Sequence, residues 1–223
     1  MQKIQDWYIP DYDTHFGEYL SIHGNAYQKE PRAHALSQVE QFRTGLDIGG
    51  NVGFWSKDMC ERFERVEIFE PDLSNTECLR LNLDQYKNYT LHEVGLGNQN
   101  ANKQFYKSEV SSGGHTFNQD TLRGSAFSVS VIEVKTLDSY NFTDVDFIKI
   151  DTQGSELDIL QGAKQTLLQN DCVLNIEVEQ KNQSQVAKAK PIFEFMESIG
   201  YIKLSRFKRD EVLFAKRKRK ITK

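Results

Sequence analysis

The chain has 223 residues, of which 38% are hydrophobic, and a formal net charge of −4. This length suits one domain that buries about 70% of its unfolded surface, and the negative charge gives no general attraction to nucleic acid. Cys60, Cys78 and Cys172 lack the paired spacing of a zinc site or a disulfide framework. No stretch resembles a signal peptide or a membrane span, so we expect a soluble cytoplasmic protein.

The chain pattern changes near residue 41. Residues 1–40 show no clear periodicity, and we expect them to form a capping extension with one or two short helices. After them, short runs rich in β-branched residues alternate with segments of helical spacing, which predicts βαβ units and a mostly parallel sheet. The predicted strands are 45–49, 66–70, 146–151 and 173–179, and the predicted helices are 52–63 and 155–170.

Three later segments have other patterns. Residues 199–207 and 212–218 predict two strands joined by a polar turn, which form a terminal hairpin. Residues 111–128 are dense in Gly, Ser, Thr and Asn and predict a long irregular loop, a kind of segment that often carries function. Residues 216–223 form a basic tail, for which a solvated surface role is the simpler interpretation and a tether is the alternative.

The sharpest motif is LDIGGNVG, a strand that delivers Asp47 into a glycine-rich turn at the start of a helix. Gly49, Gly50 and Gly53 allow a ligand to lie against the backbone there. The spacing differs from the G-x-G-x-x-G of dinucleotide folds, which argues against an NAD-dependent dehydrogenase. An acid at this turn suits a ligand with a cationic amine, such as S-adenosylmethionine, because the charges are complementary.

Two further acids end predicted strands. Glu70 ends the strand after the Asp47 motif, where a carboxylate can accept hydrogen bonds from both hydroxyls of a ribose. Asp151 precedes a glycine turn and a helix, near the sheet edge where open α/β proteins bind ligands. Each acid alone has a simpler interpretation as a turn cap or a solvated side chain. Together with Asp47 and the glycines, they favour a nucleoside-bearing cofactor.

The runs LDIGGNVGFWS, FEPD and VDFIKIDTQGSELDILQGA, with VKTLDSY before the third and NIEVE after it, resemble the successive motifs of FkbM-type O-methyltransferases. The resemblance begins near residue 44 and leaves residues 1–40 uncovered. It implies an α/β fold of the Rossmann-like class I methyltransferase kind, with a seven-stranded, mostly parallel sheet whose last strand is antiparallel. It also implies a methyltransferase domain over 41–223, S-adenosylmethionine as the cofactor, and a hydroxyl acceptor on a sugar, a glycan or a small natural product.

The same resemblance assigns roles to residues. The first turn would line the methionine part of the cofactor, Glu70 would hold the ribose, and the segment 92–98 would border the adenine. Gln153 stands where many relatives have Glu, which weakens any claim that this position supplies a base. The predicted cofactor-binding residues are Asp47, Gly49, Gly50, Asn51, Gly53, Glu70, Pro71, Asp72 and Val94.

A hydroxyl acceptor must lose its proton, and a positioned carboxylate or histidine would speed transfer by about 10²–10⁴-fold. Asp151 is the first candidate base, and Glu177 and His115 are the next. Each also has a structural interpretation: Asp151 as a helix cap, Glu177 as a residue that orders the site, and His115 as a loop residue. We predict no metal site, although Asp151 and Glu177 could share a divalent cation with a substrate oxygen.

Two other functions use the same cofactor fold. A nucleic-acid methyltransferase is disfavoured by the acidic balance and by the lack of an Asn/Asp-Pro-Pro-Tyr/Phe run, so we expect no nucleic-acid partner. A non-catalytic binding module has no physical need for Asp47, the glycines, Glu70 and Asp151 together. The identity of the acceptor and the oligomeric state stay open.

Overall fold

The computed structural model describes residues 1–122, 126–180, 182–207 and 210–216. The part of the predicted basic tail beyond Lys216 lies outside the described residues. The strands are β1 (Gln2–Ile4), β2 (Trp7–Ile9), β3 (Thr44–Ile48), β4 (Arg65–Phe69), β5 (Tyr89–His92), β6 (Gly95–Leu96), β7 (Ala101–Ser108), β8 (Phe127–Lys135), β9 (Val145–Ile150), β10 (Val173–Glu177), β11 (Tyr201–Phe207) and β12 (Glu211–Lys216). The α-helices are α1 (Thr14–His23), α2 (Lys29–Leu36), α3 (Phe54–Cys60), α4 (Leu73–Asn82), α5 (Glu156–Gly162), α6 (Lys164–Gln169) and α7 (Gln183–Ser198).

The central sheet has seven strands in the order β11-β12-β10-β9-β3-β4-β5. Neighbours from β10 to β5 pair in parallel, whereas β12 is antiparallel to both β10 and β11. The mostly parallel sheet with a reversed last strand, predicted from the resemblance, is therefore confirmed. The predicted terminal hairpin is also confirmed, as β11 and β12.

Helices cover both faces of this sheet, which explains the continuous apolar runs of its strands. Every residue of β3 and β9 is buried. On one face Leu46 and Ile148 pack in a core that includes residues of α5, α6 and α7. On the other face Val66 and Phe147 pack with residues of α2, α3 and α4. The parallel strands thus end together at one sheet edge, between the two helical layers.

The predicted helices differ in length from the observed ones. The segment 52–63 is helical only in α3, which begins after Gly53, a residue with φ = +97°. The segment 155–170 divides into α5 and α6, because the carboxylate of Asp138 accepts hydrogen bonds from the N–H groups of Gln165 and Thr166 at 2.9 and 2.8 Å. This side chain caps the start of α6 from a distant part of the chain.

No helix among the described residues has both the length and the apolar character needed to cross a bilayer.

A second sheet of three strands, in the order β6-β8-β7, flanks the segment predicted as a loop. The described part of 111–128 is mostly irregular, as predicted, but 3₁₀ turns occupy Ser112–Gly114 and Gln119–Thr121, and β8 begins at Phe127. Strands β7 and β8 pair antiparallel along eight residues, from Ala101 opposite Val134 to Ser108 opposite Phe127. Their pairing turns the connecting segment back toward the central sheet.

The first 40 residues contain the expected short helices, α1 and α2, together with an unpredicted hairpin of β1 and β2. The rings of Trp7 and Phe16 pack in tilted contacts against Phe54 at the start of α3, with centroids 4.4 and 5.1 Å from the Phe54 ring. The side chain of Asn82 in α4 holds the backbone N–H and carbonyl of Tyr8, at 2.8 and 2.9 Å. These contacts fix the N-terminal segment beside the carboxyl ends of the parallel strands.

Candidate active site

A cavity of about 460 Å³ lies at the carboxyl ends of β3, β4, β9 and β10. Helix α1 and the segment 110–115 close it on the other side. The sequence-predicted residues that line it are Gly49, Gly50, Asn51, Glu70, Pro71, Val94, His115, Asp151 and Glu177. The topology therefore brings together most of the residues that the motifs singled out.

The glycine turn after β3 requires residues without side chains. Gly49 has φ = +82°, and a Cβ there would lie 1.9 Å from the carbonyl oxygen of Asp151. A Cβ on Gly50 would lie 2.4 Å from Ile68. The turn consequently packs directly against the end of β9, with its backbone facing the cavity.

Asp47 is fully buried and does not belong to the cavity lining. Its carboxylate accepts a hydrogen bond from Ser56 at 2.5 Å and pairs with the Lys149 ammonium at 3.2 Å. Lys149 lines the cavity and also donates to the carbonyl of Gly49 at 2.5 Å. Burial opposes the Lys149 charge, but the carboxylates of Asp47 and Asp151 raise its pKa overall. Asp47 thus anchors the lysine that holds the turn, and its predicted contact with a cofactor stays a prediction.

Glu70 lies in the cavity wall with its carboxylate held by three N–H donors. Oε2 accepts from the backbone of Asn51 at 2.9 Å, and Oε1 accepts from the backbone of Asp72 at 2.9 Å and from Asn75 at 3.3 Å. Burial raises the pKa of Glu70 to about 7, against the opposing effect of the backbone donors. The Oδ1 atom of Asn51 is buried and has no partner among the described residues.

Asp72 and Gly53 lie outside the lining. Asp72 caps α4, where it accepts a hydrogen bond from the backbone of Asn75 at 3.1 Å, and it pairs with Lys107 at 2.5 Å. Gly53 precedes α3 in a left-handed conformation. Each residue lies at the start of a helix, next in the chain to a residue that lines the cavity, and a direct contact of either with a cofactor stays a prediction.

His115 lines the cavity with both ring nitrogens engaged. Nδ1 accepts a hydrogen bond from the backbone of Ser108 at 3.0 Å, and Nε2 lies 3.0 Å from the hydroxyl of Tyr12. Burial lowers the pKa of His115 to about 4, so the ring is neutral at pH 7. Because Nδ1 accepts, the hydrogen-bond pattern assigns the ring proton to Nε2. In this arrangement His115 presents a donor rather than a proton acceptor.

Asp151 and Glu177 come together around Gln153. The Gln153 amide donates to Asp151 Oδ1 at 3.1 Å and to Glu177 Oε2 at 2.7 Å. Burial, followed by the charge of Asp151 and a hydrogen bond to it, raises the pKa of Glu177 well above its usual range. Among the described residues, no group of three His, Cys, Asp or Glu side chains has the arrangement of a metal site.

Sequence reasoning missed Lys149 and the residues that close the cavity. A lone lysine in the apolar run of β9 was a signal, since a buried ammonium requires a carboxylate partner. The closing segment depends on contacts between distant residues: Asp13 accepts from the Ser112 backbone at 2.7 Å, and Asn51 donates to the Ser112 hydroxyl at 3.2 Å. Phe16 from α1 also lines the cavity.

The sequence and the fold of this chain are similar to those of known proteins. Residues 47–203 match the model of the methyltransferase FkbM domain. A search of curated proteins gives no match.

Solved structures share the fold at low sequence identity. A methyltransferase FkbM from Methylobacillus flagellatus KT is 20% identical over 78% of this chain and 43% of its own, with a TM-score of 0.54. SMU.1697c of Streptococcus mutans, described as a methyltransferase and solved with S-adenosylhomocysteine, is 14% identical over 84% of this chain and 96% of its own, with a TM-score of 0.53. Magnesium protoporphyrin IX methyltransferase from Synechocystis PCC 6803, solved with S-adenosylmethionine, is 10% identical over 90% of this chain and 82% of its own, with a TM-score of 0.50. The chain thus spans less than half the length of the Methylobacillus protein.

Proposed function

The chain belongs to the methyltransferase FkbM domain family, whose cofactor is S-adenosylmethionine, and from this premise we propose that it methylates a hydroxyl group of a sugar, a glycan or a small natural product. The observation that carries the proposal is the pair of carboxyl groups, Asp151 and Glu177, beside the glycine turn of the cavity. Methylation of a hydroxyl needs a proton acceptor at this place, and the pair supplies one.

The cavity residues fit the cofactor in size and in chemistry. The volume of about 460 Å³ lies in the range of small-molecule sites, about 300–1,000 Å³. The partnerless Oδ1 of Asn51 is an acceptor for a donor such as the ammonium group. A carboxylate has about four lone-pair sites, so Glu70 keeps acceptor capacity for a ribose hydroxyl beside its three N–H partners. Val94 and Leu96 add apolar surface.

When bound, the cofactor supplies a methyl group on an electrophilic sulfonium. The protein then has to align the acceptor and to exclude water, and the cover that α1 and the segment 110–115 form over the cavity serves both tasks. Residues 1–40 act as the cap in this proposal, because α1 and the Asp13–Ser112 contact close the cavity over the strand ends. The methyltransferase domain is then 41–223.

Asp151 is the proton acceptor in this proposal, and Glu177 supports it. The raised pKa of Glu177 keeps its proton in place and lets it hydrogen-bond to the Asp151 carboxylate. Asp151 remains partly accessible from the cavity and takes the proton of the acceptor hydroxyl. His115 is the weaker candidate, because Nδ1 already accepts from the backbone and Nε2 carries the ring proton.

The substitution Asp151→Asn tests this role. We expect release of S-adenosylhomocysteine in the presence of hydroxyl acceptors to fall by about 10²–10⁴-fold, while affinity for S-adenosylhomocysteine stays unchanged in calorimetry. Asp158→Asn is the matched control, because Asp158 lies on α5 outside the cavity lining and contacts Asn98 and Lys103. Equal turnover in the Asp151 variant and the control would remove Asp151 from the mechanism.

Two alternatives predict different results in the same assay. A non-catalytic module binds S-adenosylhomocysteine but releases no product with any acceptor. A nucleic-acid methyltransferase transfers a labelled methyl group to RNA or DNA and not to neutral hydroxyl compounds. We favour neither, because the carboxyl pair suits a hydroxyl acceptor and repels a phosphate backbone.

A further inference from the structure

A second cavity, of about 370 Å³, lies on the other side of the carboxyl pair. Gln153 and Glu177 line both cavities, so their side chains form the wall between them. Loop residues around Asn118 and Thr121 border the second cavity on one side, and α7 borders it on the other. No motif or comparison assigns a role to this cavity.

We propose that this second cavity binds the methyl acceptor, an uncharged polyhydroxylated compound such as a glycoside, and that the side-chain amide of Gln153 holds the place of the reacting hydroxyl. The proposal rests on the methyltransferase function proposed above and names the acceptor site.

The Gln153 amide lies between the two carboxyl groups. It donates hydrogen to Asp151 Oδ1 and to Glu177 Oε2, at 3.1 and 2.7 Å. An acceptor hydroxyl has one hydrogen to donate, so it can replace the amide at Asp151 Oδ1. Neither carboxyl group is then left unpartnered, because Glu177 keeps its hydrogen bond to Asp151. A hydroxyl in that place lies where its proton can pass to Asp151, at the edge of the first cavity.

The backbone at Gln153 is fixed by its own hydrogen bonds, whereas its side chain only bridges the two carboxyl groups. Gln153 has φ = +55°, and its carbonyl accepts hydrogen bonds from the hydroxyls of Thr116 and Thr121, both at 2.8 Å. The turn therefore keeps its shape when the side-chain amide moves. When the Gln153 side chain moves aside, the wall between the two cavities opens and the turn at Gln153 stays folded.

The chemistry of the lining indicates the class of acceptor. Leu157, Ala189 and Ile192 give one apolar surface. Asn118 and Gln185 place polar amides in the lining, and the Gln185 amide donates to Glu179 at 2.8 Å. A sugar ring matches this combination, because its C–H faces are apolar and its hydroxyls donate and accept.

The charges of the second cavity disfavour anionic acceptors. Glu156 and Glu179 line it beside the protonated Glu177, and Lys188 is the one lysine among the described residues of its lining. The Glu156 carboxylate accepts hydrogen bonds from the backbone N–H groups of Thr152 and Gly154, at 3.2 and 3.0 Å, and so holds the turn that carries Gln153. A phosphorylated acceptor or a nucleic acid would bring further negative charge to this acidic lining.

The test is saturation-transfer NMR with full-length protein and S-adenosylhomocysteine. The probes are methyl α-D-glucopyranoside, methyl β-D-galactopyranoside and methyl α-L-rhamnopyranoside, with α-D-glucose 1-phosphate as the anionic comparison. Leu157→Trp fills the second cavity from a half-buried position, and Leu168→Trp, at an exposed position on the next helix, is the matched control. Gln153→Ala removes the amide that holds the hydroxyl's place.

We expect at least one neutral glycoside to bind, the phosphate to bind about tenfold more weakly or not at all, and Leu157→Trp to weaken glycoside binding by about tenfold or more. Leu168→Trp leaves binding unchanged, and Gln153→Ala strengthens it. The acceptor assignment is overturned if no glycoside binds, if Leu157→Trp has no effect, or if the phosphate binds as well as the glycosides. Weaker glycoside binding in Gln153→Ala overturns the role of its amide.

Calorimetry with S-adenosylhomocysteine on the same samples separates the two proposals. If the protein binds S-adenosylhomocysteine but no glycoside, only the acceptor site fails. If the folded protein does not bind S-adenosylhomocysteine, the proposed function fails, whereas the effect of Leu157→Trp on glycoside binding still decides what the second cavity binds.

Discussion

Replacing Lys149 by Met tests how the glycine turn is held. The ammonium group of Lys149 pairs with the fully buried Asp47 at 3.2 Å and donates to the Gly49 carbonyl at 2.5 Å. Met has a similar length but no charge, so Asp47 stays buried with the Ser56 hydroxyl as its one hydrogen-bond donor among the described residues. Removing one partner of a buried ion pair destabilises a protein by about 3–5 kcal/mol.

This free energy converts into a large thermal shift. For a domain of this size, each kcal/mol changes the melting temperature by about 2–4 °C, so Lys149→Met should lower it by about 6–20 °C. Thermal and urea unfolding measure the loss. The double variant Asp47→Asn with Lys149→Met should recover much of it, because the uncompensated buried charge is then gone.

The single variant Asp47→Asn completes the cycle and separates stability from ligand binding. Lys149 keeps the nearby charge of Asp151, so we expect a smaller loss than for Lys149→Met. Affinity for S-adenosylhomocysteine should fall in Lys149→Met, because the Gly49 carbonyl loses its donor. Unchanged melting temperatures in both single variants, or no recovery in the double variant, would refute the buried pair as the anchor of the turn.

Two further predictions concern cavity residues. Burial raises the pKa of Glu70 to about 7, so the folded protein loses stability as the pH rises from the usual carboxyl range through 7. The ribose hydroxyls of a bound ligand donate hydrogen bonds to Glu70 and so favour its ionised form. Affinity for S-adenosylhomocysteine should therefore rise between pH 6 and 8 by calorimetry, and Glu70→Gln should remove that rise; an equal rise in the variant contradicts it. Gly49→Ala and Gly200→Ala each place a side chain at positive φ, which destabilises the protein by about 1–2 kcal/mol. At Gly49 the new Cβ would also lie 1.9 Å from the carbonyl oxygen of Asp151, whereas at Gly200 it would have no atom within 4 Å. Urea unfolding should show a larger loss at Gly49, and equal losses would show that the turn can move away from β9.

The central sheet could be predicted from the sequence because its strands are buried on both faces. Such strands are continuous apolar runs, and β3 and β9 are buried along their whole length. Strands β7 and β8 were missed because they form a separate small sheet, and part of β8 is exposed: Val131 is 69% exposed. The break between α5 and α6 depends on the Asp138 cap, which no local pattern contains.

The candidate site was predictable to the extent that it follows from topology. Acids and glycines that follow parallel strands meet at one sheet edge, so Glu70, Asp151 and Glu177 could be grouped from their order alone. Side-chain direction was not predictable, and Asp47 consequently pairs with Lys149 instead of lining the cavity. The closing segment depends on the contact of Asp13 with Ser112, which are 99 residues apart.

The most direct test of the central claim is calorimetric titration of the purified protein with S-adenosylhomocysteine, with NAD as the control. We predict one binding site per chain for S-adenosylhomocysteine, no binding of NAD, and a marked loss of affinity in Asn51→Ala, which removes the partnerless buried Oδ1 of the cavity. Absence of binding by the folded wild-type protein, or equal binding of NAD, would contradict the assignment of this cavity to S-adenosylmethionine.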